Sequence, residues 1–230
     1  MTPLVLLPGM MCDARLWGPQ MGALGRRAVL HATLTEHDTV QALAVAVLAA
    51  APPRFALAGL SMGGIVAMEV LRQAPARVDR LALLDTNPRA ELPQVKAARE
   101  PQIAAVKSGR LREVMRDELK PNYLVESPEK PAILDLCMDM AVDLGAEVFV
   151  RQSRALAHRP DQTGTLASWH GPALVLMGAE DRLCPRDRHE QMHALMPQST
   201  LVIVEDAGHL PTLEQPERTT AALIRWLEDT

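Results

Sequence analysis

The stretch Phe55–Val70 reads FALAGLSMGGIVAMEV: an apolar run, a knot of glycines around Ser61, then a helix-like run. Two kinds of chemistry are built this way. A glycine loop can cradle phosphate at a helix N-terminus. A sharp strand–turn–helix can hold a serine up as a nucleophile. A phosphate loop needs a lysine after its glycines, and none follows here. A dinucleotide loop needs G-x-G-x-x-G, whereas these glycines fall at Gly59, Gly63 and Gly64. What fits is G-x-S-x-G, from Gly59 to Gly63. A strand that turns abruptly into a helix strains its central residue, and the neighbours two positions away must be small. Gly59 and Gly63 meet that demand, and the Met62 N–H, opening the helix, can point at an oxyanion. The same letters also suit an ordinary βα turn with a solvent-facing serine.

Serine is a weak nucleophile without a base. Seven histidines compete: His31, His37, His158, His170, His189, His193 and His209. His209 is singled out by position, because LVIVEDAGHLPTLEQP sets it just beyond the last β-like run, with Gly208 permitting a tight turn. The orienting acid is expected after the preceding run, PALVLMGAEDRLCP, which offers Glu180 and Asp181. Asp181 is preferred: a buried carboxylate on Nδ1–H fixes the imidazole tautomer. Asp85, at the end of LALLD, is the main rival, and Asp206 is close enough to His209 to shape its turn instead. A second oxyanion donor is sought in LLPGMMCD, where the Met10 N–H follows Gly9; a plain Pro-Gly turn is the other reading.

A rival metal site must be weighed. HEQMH, from His189 to His193, matches H-E-x-x-H, with Glu190 as the base and Glu214 as a distant third ligand. Yet Met192, Leu195 and Met196 form an apolar face on that helix, and Arg186, Asp187, Arg188 and Glu190 a charged one. The match is read as coincidental, and no metal or other cofactor is expected. A zinc site predicts chelator sensitivity; the serine reading predicts none.

The elements that must position these residues alternate. β-like runs start at Leu4, Arg27, Phe55, Val78, Pro172 and Thr200. Most are apolar throughout, as in parallel strands covered on both faces. Helical patterns fall around Trp17–Leu24, Val40–Ala51, Met62–Gln73, Arg186–Met196 and Pro216–Glu228. The alternation predicts an α/β fold with a doubly wound, mostly parallel sheet. It breaks once, from about Thr86 to Trp169, where helix formers are punctuated by Pro101, Pro121, Pro128, Pro131 and Pro160. The expected division is 1–85 and 171–230 as one core, with 86–170 as a helical insertion.

Composition narrows the partners. The 230 residues are 48% hydrophobic and 23% charged, as a packed core requires. A net charge of −4 without a basic cluster argues against nucleic acid or an anionic membrane. Cys12, Cys137 and Cys184 are odd in number and far apart, which argues against a disulfide framework and for a reducing cytoplasm. The first residues, MTPLVLLPGMM, carry no basic stretch and too short an apolar run for a signal peptide. Pro52, Pro53 and Arg54 cut the apolar stretch Val40–Leu60 into pieces too short to span a bilayer.

Together these segments resemble the α/β-hydrolase superfamily, in particular its small bacterial esterase-like members. LVLLPGMMCDARLW looks like the oxyanion-loop segment ending in a tryptophan, Trp17, and LAGLSMGGIVAMEV like the nucleophile elbow. LVLMGAEDRLCP and DAGHLPTLEQPE look like the acid and histidine segments. The resemblance covers about two-thirds of the chain. It departs in two ways. Pro8-Gly9 stands where many members have His-Gly, which leaves open how the loop is braced. The two strands that precede the first one in longer members are not expected. By this resemblance, residues 86–170 would form a helical cap that sets substrate choice.

The expected activity is a serine hydrolase acting on a small-molecule carboxylic ester or thioester. Lactone hydrolysis, carbon–carbon cleavage, acyl transfer or perhydrolysis would use the same residues. A non-catalytic binding protein of this fold is a third reading. Met115, Leu134, Met138, Met140 and Phe149 are candidate acyl contacts in the insertion, and equally candidates for packing it against the core, the commoner role for such residues. Oligomeric state is not readable.

Overall fold

The computed structural model describes residues 1–25 and 27–228. Six strands, β1 (Leu4–Leu7), β2 (Val29–His31), β3 (Phe55–Leu60), β4 (Val78–Leu84), β5 (Ala173–Gly178) and β6 (Thr200–Val204), form one sheet in the order β2-β1-β3-β4-β5-β6. Every neighbouring pair is parallel. The longer helices are α1 (Val40–Ala50), α2 (Met62–Gln73), α3 (Pro93–Lys107), α4 (Lys130–Ala157), α5 (Arg186–Leu195) and α6 (Pro216–Glu228).

The all-apolar strands have a simple cause. Successive side chains point to opposite faces of a strand, and both faces are covered. In β1, Val5 and Leu7 join one apolar layer and Leu4 and Leu6 the other. β4 divides likewise, with Leu81 and Leu83 on one side and Ala82 and Leu84 on the other. The first layer packs under α1, α2 and α5 and includes Leu43, Val66, Val70 and Met192; the second includes Trp17, Leu223 and Trp226. The helix expected at Trp17–Leu24 is instead three short turns, Ala14–Trp17, Gly18–Met21 and Gly22–Leu24. Three glycines and Pro19 within eight residues explain this, since glycine and proline destabilise a helix interior.

Strand order fixes where a site can form. The chain leaves β1 for β2 on one side and later returns to add β3 on the other. Connections therefore diverge at the carboxyl ends of β1 and β3 and leave a crevice there, the usual place for a ligand in such sheets. The loops that open onto it begin at Pro8 and Ser61.

Between β4 and β5 the described residues contain helices and no strand. α3 continues through Pro101, and α4 is broken at Gly145, whose φ of 81° lies in the left-handed region. This segment has its own apolar cluster, with Ile103, Val106, Val114, Met115, Val148 and Phe149 gathered around Met11 from the β1 loop. Among the described residues no helix is long and apolar enough to cross a membrane.

Candidate active site

Ser61 sits between β3 and α2 with φ 55° and ψ −115°. A non-glycine residue at positive φ is strained, and such strain gathers at functional sites. Two backbone contacts hold it: its N–H donates to the Leu84 carbonyl at 2.9 Å, and its own carbonyl accepts from Thr86 Oγ1 at 2.7 Å. The flanking glycines leave the room it needs. A Cβ on Gly59 would stand 2.3 Å from the Gly63 carbonyl oxygen, and one on Gly63 2.2 Å from that of Leu7.

His209 lies in the loop after β6, and its Nε2 is 2.9 Å from Ser61 Oγ. Its Nδ1 is 2.9 Å from Asp181 Oδ2, in the loop after β5. A carboxylate can only accept, so Nδ1 carries the proton and Nε2 is left to accept from the serine hydroxyl. Asp181 Oδ1 accepts from the N–H groups of Leu183 and Cys184 at 2.8 and 3.0 Å. Burial alone would push the Asp181 carboxyl up. The imidazole and those two amides outweigh it and hold the pKa below the ordinary value.

The rival acid plays a different part. Asp85 is fully buried beside Asp181, with φ 44°, and its Oδ1 accepts from the Gly178 N–H at 2.9 Å. Burial first, then the Asp181 charge, push its pKa well above the carboxylate range. Among the described residues Asp85 makes no hydrogen bond to His209, and its Oδ2 is buried without a partner. Asp206 takes φ 60° in the turn before His209 and faces Arg218 at 3.8 Å.

Met62 occupies the first turn of α2, where N–H groups have no intrahelical acceptor. Met10 and Met62 both line a cavity with Ser61 and His209. The β1 loop is braced from the insertion. Gln152 on α4 accepts from the Met11 N–H at 2.8 Å and donates to the Leu34 carbonyl at 2.9 Å, and Met11 itself has φ 55°. No motif in the sequence marks Gln152 for this part.

Glu214, raised above only as a metal ligand, holds the histidine loop instead. It accepts from the N–H groups of Gly208 and Leu210 at 3.0 Å and of Val125 at 2.9 Å. The His209 N–H donates to the Tyr123 carbonyl at 2.6 Å, so the insertion touches this loop too.

The residues of the H-E-x-x-H match bond elsewhere. His189 Nε2 accepts from the Thr86 N–H at 3.2 Å, and burial lowers its pKa to about 4. His193 Nδ1 is 2.8 Å from Ser199 Oγ, and Glu190 accepts from Arg186 at 2.7 Å. Among the described residues, the group whose ligand atoms lie within 4.8 Å of one another is Asp181, Cys184 and His209. Its carboxylate and imidazole are already bonded, and burial, then the Asp181 charge, raise the Cys184 thiol well above its usual value.

The cavity holds about 320 Å³, at the low end for small-molecule pockets. Its apolar wall is Ile65, Leu92, Val95, Leu119, Leu156 and Leu183. Of the two roles open to Met115, Leu134, Met138, Met140 and Phe149, the structure shows packing: none of them lines the cavity. They pack into the apolar clusters of the insertion and the sheet. An apolar helical face is readable in a sequence, but not the surface that it meets.

The fold is that of an alpha/beta hydrolase. That family's sequence profile matches residues 4–223, so the chain belongs to the family and is a hydrolase. It is similar to the pimeloyl-(acyl-carrier protein) methyl ester esterase of Pectobacterium carotovorum, with 26% identity over 99% of this chain and 94% of that protein. It is also 26% identical, over 99% of its own length and 91% of the other's, to the (E)-2-((N-methylformamido)methylene)succinate hydrolase of Acinetobacter baylyi. Among solved structures, a thermophilic esterase from Thermogutta terrifontis, with malate bound, matches with a TM-score of 0.89 and 30% identity. That match covers 99% of this chain and 89% of the other.

Proposed function

We propose that this protein hydrolyses a carboxylic ester or thioester of a small molecule through an acyl-enzyme on Ser61. The observation that carries the reading is the unbroken relay Ser61–His209–Asp181, with both bonds at 2.9 Å, opening onto the cavity. Ser61 Oγ attacks the carbonyl carbon while His209 Nε2 takes its proton. The Met10 and Met62 N–H groups hold the oxyanion. The imidazolium, steadied by Asp181, returns the proton to the departing alkoxide or thiolate as the ester bond breaks. Water then attacks the acyl group, its proton passes to Nε2 and on to Ser61 Oγ, and the acid leaves. One ester and one water become one acid and one alcohol or thiol.

In this reading residues 1–85 and 171–230 supply the chemistry, and 86–170 are a cap that roofs the cavity. The esterase names of two similar proteins favour the ester bond. The free state of Cys12, Cys137 and Cys184 fits a reducing cytoplasm. A second reading keeps the residues and changes the bond. It is favoured by the likeness to the succinate-derivative hydrolase, and product identification separates the two.

The test is labelling and turnover. A fluorophosphonate probe should modify Ser61, and Ser61→Ala should abolish the adduct. The same variant should lower turnover of a short p-nitrophenyl ester by on the order of 10⁶-fold, because residues that act as a unit fail together. Near-normal turnover in that variant would end the proposal.

A further inference from the structure

The cavity wall facing the serine carries a charge imbalance. Arg99 on α3 and Arg159 beyond α4 share one carboxylate, Glu91, and all three line the cavity. Arg99 Nε and Nη2 donate to Glu91 Oε2 at 2.8 and 2.5 Å, and Arg159 Nη2 is 2.8 Å from Glu91 Oε1. Arg159 Nε donates to the Arg89 carbonyl at 3.0 Å. The side chains are 14%, 9% and 5% exposed for Arg99, Arg159 and Glu91, so two cations and one anion leave a positive charge in a largely enclosed space. The other charged groups on the wall do not cancel it. Arg188 is paired with Asp187 at 2.5 Å, and Glu118 is exposed and accepts from Gln102.

The donor count points the same way. A guanidinium has five N–H groups in a fixed fork suited to carboxylates. Among the described residues, no protein group accepts from Nη1 of Arg99 or of Arg159, and neither atom is sealed away as a buried unpartnered donor. Both side chains line the cavity. Burial lowers the Arg159 pKa, and the Glu91 charge acts against that. Charges are kept in such places when something pairs with them.

We propose that Arg99 and Arg159 form a subsite for a free carboxylate, so that the preferred substrate is an ester bearing a carboxylate remote from the scissile carbonyl. This rests on the hydrolase reading above. Substrate that fills the cavity lays its ester against Ser61 and its carboxylate against the free Nη1 donors. Glu91 holds the two guanidiniums side by side and makes them one receptor.

The test uses monomethyl esters of four- to eight-carbon dicarboxylic acids beside the corresponding dimethyl esters. At least one half-ester should exceed its dimethyl ester in kcat/KM by about tenfold, as a charge-assisted contact allows. Arg159→Gln and Arg99→Gln should each lower kcat/KM for that half-ester by about 10- to 100-fold. The loss should be at least several-fold smaller for the dimethyl ester, and a thermal melt of each variant reports whether the fold is intact. Arg159→Lys, which keeps the charge and loses the fork, should fall between. Equal turnover of half-esters and dimethyl esters would overturn the proposal. So would a loss in the variants that is equal for both.

A binding measurement separates this proposal from the reading beneath it. Ser61→Ala, titrated calorimetrically with the same dicarboxylates, should bind at least one of them, and addition of Arg159→Gln should remove that binding. No binding in the series overturns the subsite. Failure of every ester with Ser61 unlabelled overturns the hydrolase reading instead.

Discussion

Asp85→Asn tests which of two buried carboxyls orients His209. In the structure Asp85 accepts from Gly178 N–H through Oδ1, and its Oδ2 is buried without a partner near the Asp181 charge. Asparagine keeps the acceptor and supplies an N–H in place of the O–H. The variant should retain kcat within about threefold, whereas Asp181→Asn, which spoils the imidazole tautomer, should lose on the order of 10⁴-fold. The stability signature is sharper. Burial and the Asp181 charge raise the native Asp85 pKa, so the folded chain keeps a proton that the unfolded chain releases above about pH 3.9. The unfolded state then binds fewer protons, and native stability falls as pH rises, by about 1.4 kcal/mol per unit while the native carboxyl stays protonated. Asparagine cannot titrate, so this slope vanishes. Urea unfolding at pH 5, 6 and 7 should show Asp85→Asn gaining on the parent chain at each step. A constant difference across that range would mean that Asp85 is ionised in the native state. A collapse of kcat equal to that of Asp181→Asn would make Asp85 the orienting acid.

Three further outcomes follow from contacts already described. Gly63→Ala would force a methyl to 2.2 Å from the Leu7 carbonyl oxygen. Overpacking against rigid backbone should cost about 3 kcal/mol and lower the melting temperature by roughly 6–12 °C, read by calorimetry. Gln152→Ala strands a buried N–H on Met11 and a buried carbonyl on Leu34. It should cost about 1–3 kcal/mol per group and lower kcat more than it raises KM, because the loop it braces carries Met10. Glu214→Ala frees the N–H groups on both sides of His209. Ester kinetics should show kcat lower by about 10- to 100-fold at similar KM, as expected when a base loses its alignment.

The sheet was legible because burial on both faces erases the polar half of each strand's alternation. Leu4–Leu7 and Phe55–Leu60 then read as plain apolar runs. That Ser61, Asp181 and His209 come together was legible because each falls just past such a run, where a parallel sheet presents its loops together. The Trp17–Leu24 region misled because spaced apolar residues mimic a helix while the intervening glycines break it. The insertion was the least readable. Helical periodicity marks Met115 and Phe149 as inward without saying which interior they enter. Gln152 and Arg99 lie in ordinary helical stretches and Arg159 just beyond one, and nothing local distinguishes a brace or a receptor from a solvated side chain. Arg99 and Arg159 meet only because Glu91 draws them together across 60 residues of chain.

Met11 belongs to the β1 loop by sequence and to the apolar cluster of the insertion by contact. Its N–H is also tied to Gln152 on the far side of the break at Gly145. On the reading proposed above, the roof of the cavity is thus tied to its floor one residue from the proposed oxyanion amide. A change of packing in the insertion then has a route to that amide that bypasses the sheet.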